Sequence, residues 1–175
     1  MTMTISGIDN QDNHINGYGV YGSDMRGTLV TSNNVFYGGN NTGAATGTRA
    51  INPATVWNAI IGGAYCIYDN TVSQHNTLTG GSSYVTLSSG TACSVLNEIM
   101  GSAGTMFGSS HGGYNTVTGG DSKNINGSFV WNTLEGTAYS MYNSSTGGHN
   151  TVIGGDNLSG TKGMVTNYLF GDSQT

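Results

Sequence analysis

The sequence predicts an all-β fold: a β-solenoid or β-roll of about ten coils of roughly 18 residues, assembled as a homotrimer. Three observations predict the coil. A motif Asn-x-aliphatic-x-Gly recurs along the chain, the composition is hostile to helix, and each unit carries two short apolar stretches of strand period.

The motif asparagines are Asn34, Asn58, Asn76, Asn97, Asn115, Asn132, Asn150 and Asn167, spaced by 24, 18, 21, 18, 17, 18 and 17 residues. Two positions on stand Phe36, Ile60, Leu78, Ile99, Val117, Leu134, Val152 and Leu169. Four positions on, glycine fills the slot every time, from Gly38 to Gly171. Two weaker copies precede them, "MTISG" from Met3 and "YGVYG" from Tyr18. Residues 1–56 therefore read as irregular N-terminal coils and 57–175 as regular head repeats, within one continuous domain. Because the chain starts and stops part-way through a unit, a fragment of a longer protein is expected.

Thirty glycines, abundant Asn, Ser and Thr, and only 7% charged residues leave no good helix-forming stretch. The second apolar patch follows about nine residues after each Asn, at Ile67, Val85, Met106, Ile125, Met141 and Leu158. Each unit thus reads as two short strands joined by Gly/Asn/Ser corners. A unit that small cannot bury its own apolar side, so neighbours must stack.

Alternation assigns the faces. If the aliphatic slot points inward, so does the Asn two before it. Asn58, Asn76, Asn97, Asn115, Asn132 and Asn150 are then expected to form one structural amide ladder. The motif glycine is expected to supply positive φ at the turn. The slot before Asn holds Trp57, His75, Leu96, Tyr114, Trp131 and His149. By the same alternation it points outward as an aromatic stripe, flanked by Tyr65, Tyr68, Tyr139 and Tyr142. An exposed stripe of that extent marks a trimer interface or a receptor surface for glycan or protein.

Charge narrows the partners. The net charge is −5, and Arg26, Arg49, Lys123 and Lys162 are the only Lys or Arg side chains. Nucleic-acid binding needs a cationic stripe, so it is not expected; nor is contact with an anionic membrane. No run of eighteen apolar residues is present, and "MTMTISG" has neither the charged nor the apolar region of a leader peptide. Cys66 and Cys93 read as buried thiols or one disulfide, without metal-ligand spacing.

No catalytic constellation stands out, and Glu98 and Glu135 read as solvated outward residues of separate coils. No enzyme activity, cofactor or metal is expected. Asp121, Asp156 and Asp172 resemble pieces of a calcium roll, but Thr137 and Ala138 interrupt them. Thr77-Leu78-Thr79 and Thr116-Val117-Thr118 fit the threonine ladder of an ice-binding solenoid, which Glu98 and Met100 would break.

"HNTVIGGDN", "YNTVTGGDS" and "WNAIIGGAY" resemble the head repeats of trimeric autotransporter adhesins, the YadA-like family. The resemblance implies a left-handed β-roll in three copies, carried to a bacterial outer surface and anchored through regions not in this fragment. The function expected is a surface adhesin head binding host or neighbouring cells. The alternative is a phage or secreted fibre domain with a structural or receptor-recognition role, followed by an ice-binding or calcium-binding roll.

Overall fold

A computed structural model describes residues 4–6, 13–16, 24–25, 30–38, 55–85, 94–124, 129–158 and 164–172. Among these, every regular element is a strand. The N-terminal strands are β1 (Thr4–Ser6), β2 (Asn13–Asn16), β3 (Asp24–Met25), β4 (Val30–Ser32) and β5 (Val35–Tyr37). Then come β6 (Thr55–Ile61), β7 (Ala64–Ile67), β8 (Val72–Gln74), β9 (Thr77–Thr79) and β10 (Ser83–Val85). They are followed by β11 (Ser94–Met100), β12 (Ala103–Met106), β13 (Thr116–Thr118) and β14 (Ser122–Asn124). The last described strands are β15 (Phe129–Glu135), β16 (Ala138–Met141), β17 (Thr151–Ile153) and β18 (Met164–Phe170).

All pairing between strands is parallel. The first sheet runs β1-β5-β9-β13-β17, the second β2-β6-β11-β15-β18 and the third β3-β7-β12-β16. Two narrow ribbons, β4-β8 and β10-β14, lie between them along the chain. The N-terminal strands join the same sheets as the later ones, so the irregular spacing before residue 57 does not interrupt the architecture.

The register corrects the expected coil. Asn97 stands opposite Asn58 and Asn132, not opposite Asn76 or Asn115. Successive motif asparagines alternate between the first and second sheets, and paired ones lie 42, 39 or 35 residues apart. The repeat that pairs in register is therefore two units long, and five strands fill each of the first two sheets. The reason is in the packing: Ile15, Phe36, Ile60, Leu78, Ile99, Val117 and Leu134 form one buried cluster, drawn alternately from the second and first sheets. The aliphatic slot of each unit faces the aliphatic slot of the next. One unit supplies only one side of that core.

Two other expectations change with it. The second apolar patch is two different things: Ile67, Met106 and Met141 align in the third sheet, while Val85 on β10 lies opposite Asn124. Ile125 lies outside the described residues. The second N-terminal copy is "NHING", with Asn13 opposite Asn58 and Ile15 in the core; the "YGVYG" stretch lies outside the described residues.

Candidate functional site: amide ladders and an aromatic cleft

The motif asparagines form two ladders instead of one. In the first, Asn34 Nδ2 donates to Asn76 Oδ1 at 3.0 Å, Asn76 to Asn115 at 3.1 Å, and Asn115 to Asn150 at 3.3 Å. In the second, Asn58 donates to Asn97 at 2.9 Å, Asn97 to Asn132 at 2.8 Å, and Asn132 to Asn167 at 2.8 Å. The second amide proton crosses the core. Asn76 Nδ2 donates to the Gly101 carbonyl and Asn115 Nδ2 to that of Gly136, each at 2.9 Å. Buried amides are satisfied in this way, and the two sheets are clamped at a fixed separation.

This contact explains the motif glycine, and not through φ as expected. Among the described glycines, left-handed backbone occurs at Gly108, Gly113 and Gly148, none of them a motif glycine. A Cβ on Gly80 would lie 2.6 Å from the Asn97 amide carbon, and one on Gly119 2.6 Å from Asn132 Nδ2. From Gly38 to Gly154, the motif Gly of each unit is the floor against which the Asn of the next unit packs.

The slot before Asn also divides. On the second sheet Trp57, Leu96, Trp131 and Thr166 stand in register and point outward, as alternation predicts. On the first sheet Asn33, His75, Tyr114 and His149 precede the strands in left-handed backbone, with φ of 56°, 56°, 50° and 54°. Alternation does not apply there. His75, Tyr114 and His149 instead stack face to face, with centroids 5.1 and 4.8 Å apart. The expected single stripe is two separate rows. A third row, Tyr68-Phe107-Tyr142, stacks at 4.9 and 5.1 Å.

The outward face of the second sheet opens into a cleft of about 320 Å³ where that sheet meets the third. Trp57 and Glu98 line it from β6 and β11, Tyr65 from β7, Gly104 from β12 and Tyr139 from β16, over a floor including Ile61 and Met100. The cleft has a local cause. Gly104 occupies the outward position between Tyr65 and Tyr139 on adjoining strands, so the tyrosine row carries a one-residue notch. Leu96 stands where Trp57 and Trp131 carry indoles.

The two glutamates are not both solvated. Glu98 is half-buried on β11, and Glu135, in the next strand opposite Met100, is 1% exposed. Among the described residues, neither carboxyl oxygen of Glu135 has a hydrogen-bond partner. Burial first, and the charge of Glu98 second, raise its pKa from 4.5 to about 7. Sequence alternation places residue 135 outward. The packing of the corner between the sheets, which buries it, had no sequence signal.

Comparison with family models, with characterised proteins and with solved structures gives no match. The site must be read from its own residues.

The remaining candidates occupy other places. Asp121 Oδ1 accepts from the Asp156 backbone N–H at 2.8 Å, while Asp172 accepts from Asn150 Nδ2 at 3.0 Å. Among the described residues no three His, Cys, Asp or Glu side chains cluster as for a metal ion. The threonine ladder is not broken by Glu98 and Met100, which belong to the other sheet. Thr116 pairs with Thr77 on one side and Thr151 on the other, and Thr118 pairs with Thr79. It ends in the outer column at Tyr37 and Ile153. Cys66 is half-buried on β7 opposite Asp24 and Thr105, and Cys93 lies outside the described residues.

Proposed function

We propose that the chain is a β-solenoid with two units per turn, and that it is an extracellular binding rod: the head of a bacterial surface adhesin, working as a homotrimer. The observation that carries this reading is the outward face of the second sheet. Trp57 and Trp131 are 40% and 41% exposed on a scaffold otherwise rich in small polar residues, beside a cleft edged by two more aromatic rings. Large exposed aromatics are costly to leave wet, and on a regular scaffold they mark a contact surface. A rigid rod in three copies needs only weak single sites, because tethering raises the effective concentration of each. The ligand on this reading is a host or bacterial cell-surface protein or glycan.

Light scattering on the purified chain tests the trimer, with about three chains per particle expected. Beads coated with the chain test adhesion to cells. Trp57→Ala with Trp131→Ala should abolish bead binding without changing the far-ultraviolet spectrum. Bead binding that ignores both substitutions would remove the adhesin reading.

The two-unit circuit favours a second reading, a phage or secreted fibre domain, since it departs from a roll with one motif per coil. A coiled-coil stalk and a membrane barrel encoded downstream would select the adhesin. Further fibre repeats in place of both would select the fibre.

A further inference from the structure

The cleft between the second and third sheets has walls of a definite chemistry. Trp57, Tyr65 and Tyr139 supply three aromatic rings, Glu98 one carboxylate, and Met100 part of an apolar floor. No lysine, arginine or histidine is among the residues that line it. The two tyrosines lie on strands two steps apart, with β12 between them, which separates their backbones by roughly 9.6 Å. Between them is Gly104, which has no side chain to fill the gap, and the Tyr65 ring edge comes within 3.6 Å of where one would begin.

A group seated above Gly104 has the Tyr65 and Tyr139 strands to either side, each backbone about 4.8 Å away, and a cation is attracted to a ring face within roughly 6 Å of its centroid. A fixed carboxylate beside aromatic walls favours a cation over a neutral group, and the net charge of −5 acts in the same direction. The apolar floor disfavours a strongly hydrated ion such as sodium or ammonium, which would lose its water without replacement. A methylated ammonium has little hydration to lose.

We infer that this cleft is a binding site for a quaternary ammonium group, held between Tyr65 and Tyr139 and neutralised by Glu98. The inference rests on reading this face as a ligand surface, and it names the chemistry that the surface selects. A cavity of about 320 Å³ exceeds one trimethylammonium group and leaves room for the chain that carries it.

The test is a tryptophan-fluorescence titration of the full chain with choline chloride, against sodium chloride at equal ionic strength. The second control is 3,3-dimethylbutan-1-ol, the neutral isostere of choline. Choline should saturate with a millimolar Kd, and the isostere should bind at least tenfold more weakly. Glu98→Gln and Tyr139→Ala should each weaken choline at least tenfold. Tyr142→Ala, an exposed tyrosine in a different row, should leave it unchanged. No response to 100 mM choline, equal binding of the isostere, or indifference to both cleft substitutions would overturn the inference.

Competition separates the possible sources of the group. Co-sedimentation with phosphatidylcholine vesicles that choline reverses identifies a headgroup, and displacement of choline by a trimethyllysine peptide identifies a protein. If choline fails while coated beads still bind cells through Trp57 and Trp131, the ligand chemistry is wrong and the adhesin reading stands. If choline binds but beads do not adhere, the reverse holds.

Discussion

Asn97 and Gly81 exchange two hydrogen bonds across the core: the Gly81 N–H donates to Asn97 Oδ1, and Asn97 Nδ2 donates back to the Gly81 carbonyl, both at 2.9 Å. The amide side chain pairs with backbone as a neighbouring strand would. Asn132 with Gly120, and Asn167 with Gly155, repeat the pairing on the next two strands of the second sheet.

Removing that amide strands its partners. Asn97→Ala leaves the Gly81 N–H and carbonyl, and the amides of Asn58 and Asn132, short of a bond each in a buried site. A loss of about 3 kcal/mol is expected, read as a lower urea midpoint with an unchanged native spectrum. Ser73→Ala removes one hydroxyl from the same kind of interior and should cost about 1 kcal/mol, so the ratio of the two midpoint shifts checks the ladder.

Two glycines with the same motif role should respond oppositely. A Cβ on Gly101 would run into the Gly136 carbonyl and lie 2.7 Å from Asn115 Nδ2, while one on Gly171 meets nothing within 4 Å. Gly101→Ala is expected to cost several kcal/mol or prevent folding, and Gly171→Ala to stay within about 0.5 kcal/mol of the parent. Thermal unfolding of the two variants side by side decides it.

Stability should fall as pH rises toward neutrality. The folded chain holds the Glu135 proton up to about pH 7, and the unfolded chain releases it near 4.5. Between those values the folded state binds more proton. The contribution is therefore complete below pH 4.5 and is lost as pH climbs through 7, by about 3 kcal/mol in total. Glu135→Gln keeps the shape and removes the titration. Its urea midpoint should exceed the parent's at pH 8 by more than at pH 5, and an equal difference at both pH values would refute the assignment.

Tyr114 carries a left-handed backbone that β-branched residues resist, and it stacks on both His75 and His149. Tyr114→Asn should lose the stacking alone, about 1–2 kcal/mol, because Asn tolerates that conformation as Asn33 does at the same place. Tyr114→Val should cost measurably more. The order of their melting temperatures is the check.

How far these features could be read from sequence depends on whether they are local. The strand period around Ile60 and Leu78, the inward Asn and the outward Trp57 and Trp131 follow from alternation within a few residues, and they stand in the structure. Register is not local. Near-equal spacing of Asn76, Asn97 and Asn115 made each unit resemble a full coil, whereas pairing depends on which unit's aliphatic slot faces which. "NHING" was present to be found, and its signal lay in the same five positions. The cleft at Gly104 and the burial of Glu135 carry no local signal, because both depend on neighbouring strands about 35 residues away in sequence. Alternation does not place the row from His75 to His149, because left-handed backbone breaks the two-residue period at those residues.

Pairing every second unit limits how such a gene can lengthen. An insertion of one unit would bring Asn76-type and Asn97-type segments into the same sheet, setting the left-handed entry of one against the extended entry of the other. An insertion of two restores every register. Growth or loss by recombination between repeats is therefore tolerated in steps of about 35–40 residues, and alleles that differ by one unit should be purged. Length variation among natural copies, if it exists, should be even in units of the motif.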